Sequence, residues 1–215
     1  MSTLKVSNIQ DISNNAAMSI SGGVVTFANN PAGIADSGAM MLLQTTTISS
    51  GVSTVDLENV FTSTYKNYKI IANNISIVSP DANLFIRIKK GTDSGFDATA
   101  NAYILRDETF SNANVNYSGN NASANSWNTM PSGAQEDGTN AYPSWLEIDI
   151  YDPSNTTASQ GASARYEGEY LSYHPYRIGN RGHLFHTNNN WKGIQFLLNN
   201  SATFASGTIK LYGIK

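Results

Sequence analysis

Residues 84–90, LFIRIKK, and residues 145–151, WLEIDIY, carry the clearest periodicity in the chain. In the first, Leu84, Ile86 and Ile88 fall on one side of an extended backbone while Phe85, Arg87 and Lys89 fall on the other. In the second, Leu146, Ile148 and Ile150 oppose Glu147, Asp149 and Tyr151. A period of two is the mark of a strand with one face in a core and one in water. Working outward, similar runs occur at 41–49, 52–57, 68–78, 102–106, 164–173, 192–198 and 207–212. Short strands separated by turn residues, with no segment of helical period, predict an all-β chain: a jelly-roll-like antiparallel β-sandwich over residues 41–215.

Composition agrees. Of 215 residues, 40% are hydrophobic but only 13% are charged, about half the usual share. Asn, Ser, Thr and Gly fill the gap, and their side chains compete for backbone hydrogen bonds in helix interiors, so helix should be scarce. A net charge of -3 and a pI near 5.5 offer no attraction to phosphate backbones, so neither nucleic acid nor a membrane surface is expected as a partner. Without cysteine there are no disulfides and no thiolate metal sites. The N-terminus has no basic segment followed by an apolar run, and no stretch reaches spanning length, so neither export by a standard signal nor membrane insertion is expected.

Residues 1–40 differ from the rest. Leu4, Val6, Ile9, Ile12, Met18, Ile20, Val24 and Phe27 punctuate an Asn-, Ser- and Gly-rich stretch, which reads as very short strands followed by a linker. Such a piece has too few apolar residues to close a core of its own. It is therefore expected to be an arm that buries these side chains against a partner. The longest predicted loop, 111–144, is mostly small and polar but carries Tyr117, Trp127 and Tyr142.

Two stretches are similar to a known group. Residues 8–33, NIQDISNNAAMSISGGVVTFANNPAG, resemble the N-terminal or connecting modules of bacteriophage fibre and appendage proteins, in which short strands from three chains wind around one axis. Residues 42–60, 64–89 and 191–215, the last ending SGTIKLYGIK, are similar to a sandwich found at the ends of phage tail proteins. The resemblance implies a homotrimeric virion structural protein, assembled in the host cytoplasm. Its arm would bind other virion proteins of tail or capsid, and its sandwich would contact the host surface. Capsid decoration, cement or a head fibre is the architectural alternative, and a polysaccharide-degrading enzyme is a third.

The best binding candidates lie between residues 170 and 191. Tyr170, Tyr173, His174, Tyr176, Arg177, Arg181, Phe185, His186 and Trp191 combine aromatic faces with guanidinium forks suited to a glycan, or equally to a subunit interface. Tyr117, Trp127 and Tyr142 form a second candidate set. Carboxylates occur in pairs, Asp107 with Glu108, Glu136 with Asp137, Glu147 with Asp149, and Glu167 with Glu169. Glycoside hydrolysis needs two such groups across a cleft, but alternating charge is also what a solvated sheet face shows, and no catalytic residue is assigned. His183 and His186 could meet on a helical face, yet Gly179, Asn180 and Gly182 favour a turn there, and no third ligand is evident. No metal and no cofactor are expected.

Overall fold

The computed structural model describes residues 8–10, 16–21, 24–27, 40–78, 82–91, 93–111, 115–130, 144–156, 162–171, 177–187 and 190–215. Every regular element among them is a strand. The chain divides into two compact units at the Ala39/Met40 boundary.

In the first unit, β1 (Asn8–Gln10), β2 (Ala16–Ser21) and β3 (Val24–Phe27) form a three-stranded antiparallel sheet in that order. Ile9 pairs with Met18, Met18 with Phe27, and Ile20 with Val25. Five of the eight expected arm residues, Ile9, Met18, Ile20, Val24 and Phe27, lie on these strands; Leu4, Val6 and Ile12 lie outside the described residues.

The second unit is a sandwich of β4 (Met41–Thr47), β5 (Thr54–Leu57), β6 (Asn67–Ile77), β7 (Leu84–Lys90), β8 (Tyr103–Ser111), β9 (Val115–Ala124), β10 (Trp127–Met130), β11 (Ser144–Tyr151), β12 (Ser163–Leu171), β13 (Arg177–His186), β14 (Trp191–Leu198) and β15 (Phe204–Ile214). The larger sheet runs β4-β15-β6-β11-β12-β13-β8-β9 and the smaller β10-β7-β14-β5, all antiparallel. Within this order β4 pairs with β15, β5 with β14, β6 with β11 and β7 with β10. The first four of these eight strands thus meet the last four in reverse, as in one long hairpin rolled up so that β15 also pairs with β6 and β14 with β7. That is the jelly-roll topology, two four-stranded sheets face to face. Two inserted hairpins, β8–β9 and β12–β13, continue the larger sheet beyond β11.

The core follows from the alternation. Leu84, Ile86 and Ile88 of the smaller sheet, and Leu146, Ile148 and Ile150 of the larger, are all buried, joined by Ile70, Ala72, Phe196, Ile209 and Leu211. The closing strand β15 is locked between β4 and β6, as its place in the pattern suggests.

Three strands were not expected. The stretch 111–144 is not one loop, because its described part continues β8 and forms β9 and β10. Residues 177–186, whose glycines favoured a turn, form β13 in the middle of the extended sheet. Gly182 is there for proximity: a Cβ at this position would run into the carbonyl oxygen of Arg106 on β8 and lie 2.9 Å from the Asp107 Cα. The glycine that looked like a strand breaker is what lets two strands pair.

Gly182→Ala is therefore expected to lower the unfolding free energy in urea by about 1–3 kcal/mol, the usual cost of overpacking. Gly95→Ala, where nothing lies within 4 Å, should stay within about 0.5 kcal/mol. Equal midpoints for the two variants would contradict the close approach of β13 and β8.

Candidate functional site

The alternation of β12 and β13 divides the residues expected to form one glycan-facing patch. Tyr170 and His186 point into the core, and Trp191, which opens β14, is buried with them. Trp127, from the second candidate set, opens β10 and is buried too. These four are corrections: their aromatic area is too valuable to the core to be left in water. Arg181, His183 and Phe185 point the other way, onto the outer face of the larger sheet. The backbone of Arg177 lies on β13 and that of Tyr117 on β9, whereas Tyr173, His174, Tyr176 and Tyr142 lie outside the described residues.

Inside, the buried aromatics enclose a polar centre. The Trp127 ring meets Tyr103 edge-on at 5.1 Å and Trp191 at 5.5 Å, and His186 meets Tyr103 at 4.6 Å. Trp127 Nε1 donates to the Phe185 carbonyl at 3.0 Å. The Tyr103 hydroxyl donates to the Asp97 carbonyl at 2.6 Å and accepts the Ile88 N–H at 3.0 Å; burial raises its pKa. The Asp97 carboxylate lies 3.2 Å from both His186 Nε2 and Lys90 Nζ, and accepts the Thr99 N–H at 2.9 Å. Burial alone would raise the Asp97 pKa, but the Thr99 hydrogen bonds and the Lys90 ammonium outweigh it and hold the group at about 2. This cluster ties the 91–102 loop to the sandwich.

Outside, charged side chains form ion pairs across the strands. Lys69 on β6 lies 2.6 Å from Glu147 and 3.4 Å from Asp149 on β11. The hydrogen bond to Glu147 raises the lysine pKa against the opposing effect of burial. Arg165 on β12 approaches Asp149 at 3.8 Å. Arg181 on β13 reaches Glu108 on β8 at 2.9 Å while its guanidinium lies 4.8 Å from the centre of the Phe110 ring. Such cross-strand pairs fix register and keep the face wet.

Glu147 stands directly opposite Glu167 in the ladder. The pair lies side by side on an open face, with Glu147 engaged by Lys69, rather than across a cleft. His183 and His186, three apart on a strand, point to opposite faces and cannot share an ion. Among the described residues no cluster of three His, Asp or Glu side chains could hold a metal.

An open cleft of about 710 Å³ lies at the end of the sandwich where β6 begins and β11 and β15 end. It is lined by residues 63–66, Asp152, residues 154–156 and Lys215. Its walls are fastened from behind. The Tyr68 hydroxyl accepts the Thr62 N–H at 2.7 Å and donates to the Thr62 carbonyl at 2.8 Å, and Ser154 Oγ donates to the same carbonyl at 3.3 Å. The Asp152 N–H donates to the Lys66 carbonyl at 2.9 Å, and the Asn155 side-chain amide donates to the Asp152 carboxylate at 3.1 Å. The sequence reading passed over these residues as connections. The available signal was turn chemistry, Asp152-Pro153-Ser154-Asn155, with Asp152 at φ 45, beside a lysine-bearing Ser-Thr-Tyr-Lys stretch.

No family model and no curated protein matches this chain.

A carboxyl whose folded pKa lies below its unfolded value contributes stability above the unfolded value and loses it as pH falls through the folded one. For Asp97 that window runs from the ordinary 3.8 down to about 2. Asp97→Asn should be less stable than the wild type at pH 7, and the gap should shrink by roughly 2 kcal/mol across that window. Urea titrations at pH 7, 4 and 2.5 measure it, and a gap independent of pH would contradict an ionised Asp97 in the fold.

Proposed function

We propose that this chain is a bacteriophage virion-appendage protein, a non-enzymatic homotrimer whose N-terminal arm holds it to neighbouring virion proteins and whose jelly-roll unit contacts a host-surface glycan. The observation that carries the reading is at the unit boundary. Met40, Met41, Leu42 and Leu43 are 45%, 52%, 54% and 39% exposed, and the last three lie on β4, an edge strand of the larger sheet. Four consecutive exposed apolar side chains, three of them on an edge strand, are an aggregation hazard in a monomer and an asset in an assembly that covers them. They directly follow in sequence an arm that has its own small apolar sheet and too few residues for a separate core. The jelly-roll, with loops gathered at the ends of a rigid sandwich, supplies a platform for surface contact.

A purely architectural role in capsid decoration is favoured by a different observation, the withdrawal of Trp127, Tyr170 and Trp191 into the core. That removes much of the aromatic surface on which a 170–191 binding patch would rest.

In light scattering the full chain should give three times its 23.2 kDa mass, and residues 40–215, which keep the apolar patch but lose the arm, should stay folded without holding a defined trimer. A monomeric full chain, or a truncated one that remains trimeric, would reject the arm's role. On an array of acidic and neutral bacterial polysaccharides the full chain should retain at least one glycan, with trimeric avidity raising a weak single-site affinity by about 100-fold or more. A trimer that retains none would leave the architectural role.

A further inference from the structure

We infer that the start of β4 is a contact between copies of this chain, in which Met40, Met41, Leu42 and Leu43 of one copy pack against the same residues of its neighbours. The inference deepens the proposed function and rests on it for the existence of an assembly; what it adds is the identity of the body that covers the patch. Met41 stands opposite Gly213 and Leu42 opposite Tyr212, while the register skips Leu43. Cross-strand partners share a face. Met41 therefore lies on the core side of the sheet, in line with the buried Ile209 and Leu211 of β15, and Leu42 lies on the outer side. Both are more than half exposed. The apolar surface thus wraps the edge of the sheet, and only a body that meets the edge from both sides can cover it.

Charge, backbone and size together make that body another copy. No charged residue occurs from Met40 to Gly51, so identical patches can meet without setting like charges against one another. Gln44, Thr45 and Lys210, which stands opposite Thr45, border the patch and give it the apolar centre and polar rim of an interface. The skipped residue at Leu43 breaks the row of free backbone groups, which works against a long added strand and leaves side-chain packing as the form of contact. The four side chains offer roughly 350 Å² per copy, under half of the ~800 Å² a side that a stable pair buries. A patch of that size does not hold two copies by itself, but it fills once the arms hold the copies together and raise their effective concentration. Its place in the chain fits this, because Met40 is the first residue after the unit boundary and the patch follows directly on the segment that would join the copies.

The test is thiol trapping in the full chain, which has no cysteine of its own. Leu42→Cys in the associated fraction is expected to give a covalent dimer on mild oxidation or with a short bismaleimide. Val78→Cys should give none, although Val78 is 55% exposed. Its N–H donates to the Thr203 carbonyl just before β15 begins, and the 11 residues of β15 put roughly 30 Å between that point and the partner of Met41. Leu42→Glu sets like charges together and should raise the concentration of half-dissociation about tenfold or more, whereas Val78→Glu should change it by less than about twofold. Leu42→Met should associate like the wild type, and all variants should keep the wild-type circular dichroism. In an associated chain, no trapping at Leu42→Cys, equal trapping at both sites, or indifference to Leu42→Glu would overturn the contact and leave the trimeric reading intact. Where Leu42→Cys is not trapped, a thiol shielded from a small maleimide would assign the cover to the chain's own N-terminal segment, and a reactive one would leave it to a different protein. Trapping within a particle of only two copies would support the contact and reject the threefold arrangement. A full chain that stays monomeric at every concentration would overturn both.

Discussion

Because side chains alternate along a strand, the apolar residues of β6, β11 and β15 can leave water only by meeting those of β7 and β14. Everything else in the sandwich is arranged around that meeting. The rolled hairpin is one way to present two apolar sheet faces to each other using short connections, and it places the last strand, β15, in the interior of the larger sheet. With that face committed inward, the opposite face must stay soluble. Lys69, Asp149 and Arg165 form a row of alternating sign on it, and in the next row Glu147 and Glu167 stand side by side, with Lys69 reaching Glu147 and Arg181 between Glu167 and Glu108. Lys69 and Arg165 thereby engage Glu147 and Asp149, and Arg181 engages Glu108, so several of the acidic residues paired in sequence are paired across the sheet as well.

The same constraint explains what could be read in the sequence and what could not. Where apolar residues alternate against charged ones, as at 84–90 and 145–151, period alone identifies the strand and its inward face. The signal fails where tertiary contact replaces it. Gly179, Asn180 and Gly182 have the composition of a turn, and only the approach of β8 shows why a strand there requires glycine. Residues 115–124 contain almost no large apolar side chains, so β9 leaves no periodic trace and is held by its pairing with β8.

Sequence also identifies which side chains can bind, but not which are free to do so. Arg181 lands on the outer face, yet it is engaged with Glu108 and Phe110. Trp127, Tyr170, His186 and Trp191 were grouped by chemistry, but strand parity sends them inward. Trp127, His186 and Trp191 gather there with Tyr103, and His186 meets Asp97, whose charge is supported by Lys90 and Thr99; Tyr170 is buried farther along, opposite Ile178. The residues best suited to reading a ligand by type were therefore spent, in this fold, on closing the far half of the sandwich beneath the inserted hairpins.

What remains for recognition is set by rigidity. A binding residue on a loose connection must be ordered by its ligand, at a cost in affinity, whereas one whose backbone is already fastened adds its contacts at little cost. The connection from β5 to β6 is fastened by the Tyr68 hydroxyl through both backbone groups of Thr62, and the turn after β11 is fastened to it by Ser154 and Asp152. Trp191 closes the turn from the other side, donating its backbone N–H to the Pro153 carbonyl at 2.7 Å. Residues 62–66 and 152–155 are thus extensions of the core rather than free loops. In this sandwich one buried aromatic, Tyr68, stiffens that end through its side-chain hydroxyl, and another, Trp191, does so through its backbone while its ring joins the core.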